Sequence, residues 1–167
     1  MRLSTIDIGT VCYRVDMAGT ESIPTDRLAR SALSEDLSFL LARANALSLA
    51  VGNAALAAHG LKARSYSVLA LAADDTRPSQ RELAEFLRLD PSQVVALVDD
   101  LQRRGLVERR PDPTDRRANV VVATAAGREL SRRAFADARA AEERAHSRLT
   151  AQQKEQLAEI LRLIALP

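Results

Sequence analysis

The sequence predicts a mainly α fold in which a helix–turn–helix is followed at once by a two-stranded β hairpin. Three observations predict it. Apolar residues recur at helical spacing over much of residues 34–166. Two short helices with clear start signals follow one another across a turn of about three residues around Leu89. After Gly105 the apolar period changes from about 3.6 to 2 for two short runs flanking a Pro/Asp loop.

The elements follow in order. Residues 1–33 read as a loose arm with turn formers Gly19, Pro24 and Asp26. Met17 is an alternative start, and translation from it would leave Cys12 out of the protein. Ser34 is the expected N-cap of the first helix, with Glu35 and Asp36 in its first turn, where carboxylates suit the helix dipole. Leu37, Leu40, Leu41, Ala44, Leu47 and Val51 carry its stripe, and Gly60 stops it. A second helix is expected over 64–73, ended by Asp74, Asp75 and Pro78. Ser79-x-x-Glu82 is a capping box that opens the third. Asp90 caps the fourth, and Pro91 takes the first helical position, where a missing N–H costs nothing. Val94, Leu97, Val98 and Leu101 form its i, i+3, i+4, i+7 stripe.

Strands are expected over 106–110 and 119–123. The Pro111-Asp-Pro-Thr-Asp115 run between them cannot be a central strand. Thr124 caps a long fifth helix with Leu130, Ala134, Ala138, Ala141 and Ala145 on one face. Thr150-x-x-Gln153 opens a sixth, striped by Leu157, Ile160, Leu161 and Ile164.

Composition bounds the function. In 167 residues, 47% are apolar but only 3% aromatic, so the core is built from Ala, Leu and Val. The first and last helices carry wide apolar faces that a small body cannot cover, which points to a second copy of the chain. Net charge is only +2, yet residues 103–117 hold six Arg against Glu108, Asp112 and Asp115, a local +6 − 3 = +3. Such density favours a polyanionic partner. An Arg run is otherwise simply a solvated surface. One cysteine and two histidines build neither a disulfide framework nor a zinc site, so no metal or cofactor is expected. A reducing, cytoplasmic compartment follows. No apolar run is expected to reach the length of a membrane span, and residues 1–30 lack a secretory core. No G-x-S-x-G elbow, H-E-x-x-H or Gly-rich phosphate loop points to an enzyme.

The helix–turn–helix carries the chemistry. The apolar stripe of its second helix faces the body, so the outward leading edge is Ser92, Gln93, Val95 and Ala96. Gln pairs bidentately with adenine, Ser bonds phosphate or base, and Val or Ala packs on a thymine methyl. The helix N-terminus adds attraction for phosphate. Arg109 and Arg110 suit phosphate contacts, which give affinity without sequence information. Arg116 and Arg117 stand at or just past the hairpin tip, where a guanidinium can enter a minor groove. Asp115 can orient one of them, or the three residues simply make a solubilising turn.

These residues resemble the MarR family of winged helix–turn–helix transcriptional regulators. The resemblance runs from about Ser34 to Leu166. It rests on Ser79-Gln-Arg-Glu-Leu-Ala, on Val94 through Arg103-Arg-Gly-Leu-Val107, on Glu108-Arg-Arg-Pro-Asp-Pro-Thr-Asp-Arg-Arg117 and on Thr124-Ala-Ala-Gly127. It implies a homodimer whose dimerisation region is 34–60 with 124–167, and a DNA-binding region at 61–123. It implies a palindromic double-stranded operator, with the fourth helix in the major groove and Arg117 in the minor groove. Ser79, Gln80 and Arg103 join the expected DNA-binding set.

Two departures stand out. The family often carries Thr and Arg where this chain has Val95 and Ala96, which makes base readout more apolar. The branch that senses organic peroxides carries a reactive Cys where this chain has Ser38, and serine does not oxidise. Family members are commonly released by small anionic or aromatic ligands, and Ser38, His59, Arg64, Tyr66 and Ser67 are the candidates for such a site. His59 reads first as a helix-end residue and Tyr66 as a core residue. The alternative function is a winged-helix protein-interaction module that leaves DNA alone.

Overall fold

The computed structural model describes residues 26–74, 76–112 and 118–166. Met17, Cys12 and most of the arm lie outside the described residues, as do Asp115, Arg116 and Arg117. The chain divides into two compact units, residues 1–42 and 43–167.

In the first unit, a one-turn helix α1 (Asp26–Ala29) precedes a 3-10 turn (Ala32–Glu35). The long helix α2 (Leu37–Leu56) begins here. Its start corrects the expectation for Ser34. That residue lies inside the 3-10 turn, where its hydroxyl donates to the Ser31 carbonyl at 2.7 Å. Asp36 does the capping instead, accepting from the Phe39 N–H at 2.7 Å. Asp one residue before the helix offers the better-placed acceptor for the third N–H.

The most apolar 18-residue window within residues 37–59 has a mean hydropathy of 1.3, and this 23-residue helical stretch is long and apolar enough to cross a membrane by length and composition. That corrects the expectation that no run reaches this length. The stretch is interrupted by Arg43, Asn45 and Asn53, and only 6% of its most apolar window is buried within the chain.

The second unit holds the rest. After α2 comes a 3-10 turn that Gly60 ends with φ +63°, followed by α3 (Ala63–Ala73), α4 (Gln80–Leu87) and α5 (Pro91–Arg103). Strands β1 (Val107–Pro111) and β2 (Asn119–Ala123) pair antiparallel, Val107 opposite Ala123 and Pro111 opposite Asn119. Helices α6 (Ala125–Ala145) and α7 (Ala151–Ala165) complete it.

Most caps are the expected ones. Thr124 accepts from Gly127 N–H at 3.1 Å, and Thr150 and Gln153 form their reciprocal box. The cap of α3 comes from a distance: Asn53 on α2 accepts from the Ala63 N–H at 2.8 Å. A further strand-like contact was not expected. Ser79 bridges Val120, and Val121 N–H donates to the Pro78 carbonyl at 2.8 Å, so the segment before α4 lies along β2.

The core joins α3, α4, α5 and the hairpin root. Val68, Leu69, Val94, Val98, Leu101 and Val121 are fully buried. α3 packs on α5 and α6, and α4 packs on α5. α7 is different, for none of its residues is buried.

Candidate nucleic-acid interface

Two capped helices and a hairpin position the site. The turn between α4 and α5 is Arg88, Leu89 and Asp90, with Arg88 in a left-handed conformation at φ +53°. Ser79 and Glu82 close the capping box of α4: the Glu82 carboxylate accepts from the Ser79 N–H at 2.7 Å, and Ser79 Oγ accepts from the Glu82 N–H at 3.2 Å. The Ser79 N–H, and then its hydroxyl, hold the Glu82 carboxyl below its usual range. A carboxyl depressed in the folded state adds stability that is complete above its unfolded value and lost as pH falls through the folded one. The first turn of α4 is therefore expected to loosen in acid. Unfolding free energy measured against pH should show this slope, and Glu82→Gln should flatten it. An unchanged slope in that variant would remove Glu82 from the account.

α5 is anchored by Val94, Val98 and Leu101, all at 0% exposure, and it leaves Ser92, Gln93, Val95 and Ala96 in solvent. The expected leading edge is thus brought together on one exposed surface. Its N-terminus is already occupied. Asp90 accepts from Ser92 N–H at 2.8 Å and from the Ser92 hydroxyl at 2.5 Å, and these bonds lower the Asp90 carboxyl. The capping carboxylate offsets part of the attraction that the α5 N-terminus has for phosphate.

The basic residues divide. Arg103 is exposed and pairs with Asp100 at 3.0 Å. Arg110 is exposed and pairs with Glu108. Arg109 is not turned outward to a phosphate. Its guanidinium donates from Nε to Gln80 Oε1 at 2.6 Å, from NH1 to Gln102 Oε1 at 2.5 Å and from NH2 to Asp99 Oδ1 at 2.6 Å. One side chain on β1 thereby holds α4 and α5 together. The planar fork of Arg makes all three bonds possible at once. Arg104, which the sequence reading did not single out, donates to the carbonyls of Gly60 and His59 at 3.0 and 3.3 Å, tying the end of α5 to the turn after α2.

Within the second unit the expected ligand residues do not converge. Ser38 is exposed in the first unit. Within the second, His59 Nε2 lies 2.7 Å from Asp137 Oδ2 on α6. Arg64 is exposed, and the Ser67 hydroxyl donates back to the Ala63 carbonyl at 3.0 Å. Tyr66 borders a cleft. It is half-buried, which raises its phenol pKa, and it shares an open cavity of about 410 Å³ with Ala73, Arg128, Ser131, Arg132 and Phe135. The four α6 residues were missed, although their i, i+3, i+4, i+7 spacing marks one helix face.

An anchored helix with an exposed polar edge, a capped helix before it and an Arg-bearing hairpin behind it define a winged helix–turn–helix protein. Comparison with known proteins places it further. Residues 59–118 match the model described as the MarR family. The HTH-type transcriptional repressor Rv2887 of Mycobacterium tuberculosis is 31% identical over 125 residues, 75% of this chain and 90% of the repressor. The crystal structure of a MarR family transcriptional regulator from Rhodococcus sp. RHA1 matches with a TM-score of 0.76 at 42% identity, covering 82% of this chain and 98% of that one. CouR from Rhodococcus jostii RHA1, solved with p-coumaroyl-CoA bound, matches with a TM-score of 0.74 at 42% identity over 82% and 96%. Rv2887 solved in complex with DNA matches with a TM-score of 0.64 at 29% identity over 77% and 97%. The chain belongs to the MarR family of transcriptional regulators.

Proposed function

We propose that the protein is a homodimeric repressor that binds a palindromic double-stranded operator in the cytoplasm and leaves it when a small aromatic or anionic effector binds. The observation that carries this reading is the exposed edge Ser92, Gln93, Val95 and Ala96 on a helix pinned by three fully buried residues. Residues 61–123 form the DNA-binding region, and 34–60 with 124–167 the dimerisation region. Ser79, Gln80 and Arg103 flank the reading edge, and Arg110 adds a backbone phosphate contact from the hairpin. Arg116 and Arg117, with Asp115 beside them in the sequence, contact the DNA, Arg117 entering the minor groove. The DNA complex of Rv2887 supports the partner. The effector reading draws on Rv2887 solved with salicylic acid and with p-aminosalicylic acid, and on CouR solved with p-coumaroyl-CoA. The Tyr66–Phe135 cleft, with Arg128 and Arg132 on its rim, matches an aromatic acid in chemistry.

The test is fluorescence anisotropy on duplex DNA from the region upstream of the gene, at several salt concentrations. Specific binding should weaken steeply with salt as phosphate contacts release counterions. No preference over bulk DNA at low salt would overturn the proposal. Arg116→Ala with Arg117→Ala should abolish DNA binding and keep the dimer; loss of a protein partner instead would favour an interaction module.

The Arg109 clamp yields a sharper prediction. If Arg109 positions the reading elements, Arg109→Ala and Asp99→Ala should each weaken operator binding about tenfold, and the double variant should lose little more than either single one. If Arg109 instead binds phosphate, Asp99→Ala removes a competing carboxylate and raises affinity. That opposite sign, read in the same anisotropy titration, would return Arg109 to the phosphate contacts.

A further inference from the structure

The two faces of the hairpin differ. Successive residues of a strand point to opposite faces. Arg109 reaches Asp99 and Gln102 on α5, so its own face, shared with Val107, Val121 and Ala123, is the α5 face. Glu108 and Arg110, opposite Val122 and Val120, lie on the other face. Val120 and Val122 are buried there, yet they stand outside the main core cluster.

What borders them is a cavity of about 120 Å³ lined by Arg77, Arg110 and Arg128. One tetrahedral anion needs far less than a ligand pocket, and this volume is well above the roughly 10–15 Å³ that a single water requires. The three arginines come from three separate places, the segment before α4, strand β1 and the first turn of α6; Arg110 pairs with Glu108, and Arg128 donates to the Ala73 carbonyl at 3.3 Å. Asp74 is the only acidic residue on the lining, so the lining carries +3 − 1 = +2, and counting Glu108, the partner of Arg110, still leaves +1. Two further features fit a built site. Arg77 holds a left-handed backbone at φ +47°, which a long side chain adopts rarely and at a cost. Its segment is held there by the Pro78 carbonyl accepting from Val121 and by the Ser79–Val120 bridge. The apolar floor of Val120 and Val122 displaces water on one side, which strengthens the field of the arginines.

We propose that Arg77, Arg110 and Arg128 form a phosphate-binding site on the hairpin face turned away from α5. It goes beyond the effector reading above, although Arg128 borders both cavities and Arg110 also belongs to the proposed DNA contacts. The phosphate has two available sources, a small phosphorylated molecule or the DNA backbone. The placement opposite the α5 face favours the small molecule. Planar guanidinium groups carried by three separate segments suit the several oxygens of one phosphate group.

The probe is inorganic pyrophosphate, titrated calorimetrically into the full-length protein at low salt. The variant is Arg77→Asn with Arg128→Gln, because Asn accepts a left-handed backbone and both positions are exposed. Unchanged thermal unfolding confirms that it folds. Pyrophosphate affinity is expected to fall at least about tenfold, the loss of a charge-assisted contact being worth that much. Arg132→Gln, which borders the Tyr66 cleft but not this cavity, should leave it unchanged. The salt dependence of operator binding separates the sources. An unchanged slope of log K against log salt in the variant assigns the site to a free phosphorylated molecule. A slope shallower by about 1 or more assigns it to a DNA phosphate. Absence of pyrophosphate binding, or equal binding by wild type and variant, would overturn the site.

Discussion

Gly127→Ala is expected to lower the unfolding temperature by roughly 6–12 °C, the shift that about 3 kcal/mol produces in a domain of this size. Gly127 is buried in the first turn of α6, where the chain leaves the hairpin. A Cβ there would stand 1.9 Å from the Leu106 carbonyl oxygen and 2.9 Å from its carbon. Both are backbone atoms, so no rotamer change relieves the clash. That carbonyl is also in use, accepting from Thr124 N–H at 3.0 Å, and Gly127 N–H itself donates to the Thr124 hydroxyl. Moving Leu106 away therefore costs the cap of α6 as well as packing, which puts the change at the upper end of overpacking effects, about 3 kcal/mol. Gly105→Ala provides the internal scale. Gly105 is left-handed at φ +69°, but nothing lies within 4 Å of its would-be Cβ. Only backbone conformation is penalised there, by about 1–2 kcal/mol. Differential scanning calorimetry on both variants checks the order, and a larger loss for Gly105→Ala would refute the clash.

The same junction shows what a sequence can and cannot disclose. Starts of helices are legible because the cap and its N–H lie within three residues of one another. Ser79-x-x-Glu82, Asp90-Pro91, Thr124 and Thr150 all cap where expected. Asn53 capping α3 was not legible, because donor and acceptor sit ten residues apart across a turn that only the fold closes. The Ser79–Val120 bridge involves a single residue on one side and has no period to detect. The site divides along the same line. The exposed edge of α5 follows directly from its buried stripe. The role of Arg109 does not, since Arg in a basic hairpin has the same composition whether it faces a phosphate or Asp99. The cleft around Tyr66 lay within reach: Arg128, Ser131, Arg132 and Phe135 repeat at helical spacing, but the neighbouring Ala/Leu stripe is the stronger periodic signal.

The largest effect on function is expected from α7. None of its residues is buried, while Leu157, Ile160, Leu161, Leu163 and Ile164 are 39–85% exposed. Within the chain it is tied to α6 by the Lys154–Glu143 ion pair and borders an open cavity of about 280 Å³. An isolated helix of 15 residues is marginal in water. Its capping box and apolar stripe therefore make sense against a partner surface, which the proposed dimer would supply. Leu161→Asp with Ile164→Asp places two charges in that face, where each meets no compensating group. The expected result is a monomer by light scattering, with operator affinity reduced about 10²–10⁴-fold, because two linked half-site contacts become one. The hairpin and α5 should keep their native fold, since their core uses none of α7. Hydrogen exchange that stays slow at Val94, Val98 and Leu101 would confirm that the loss lies in assembly. A double variant that remains dimeric and binds its operator at full strength would remove α7 from the interface and leave its apolar stripe without a role.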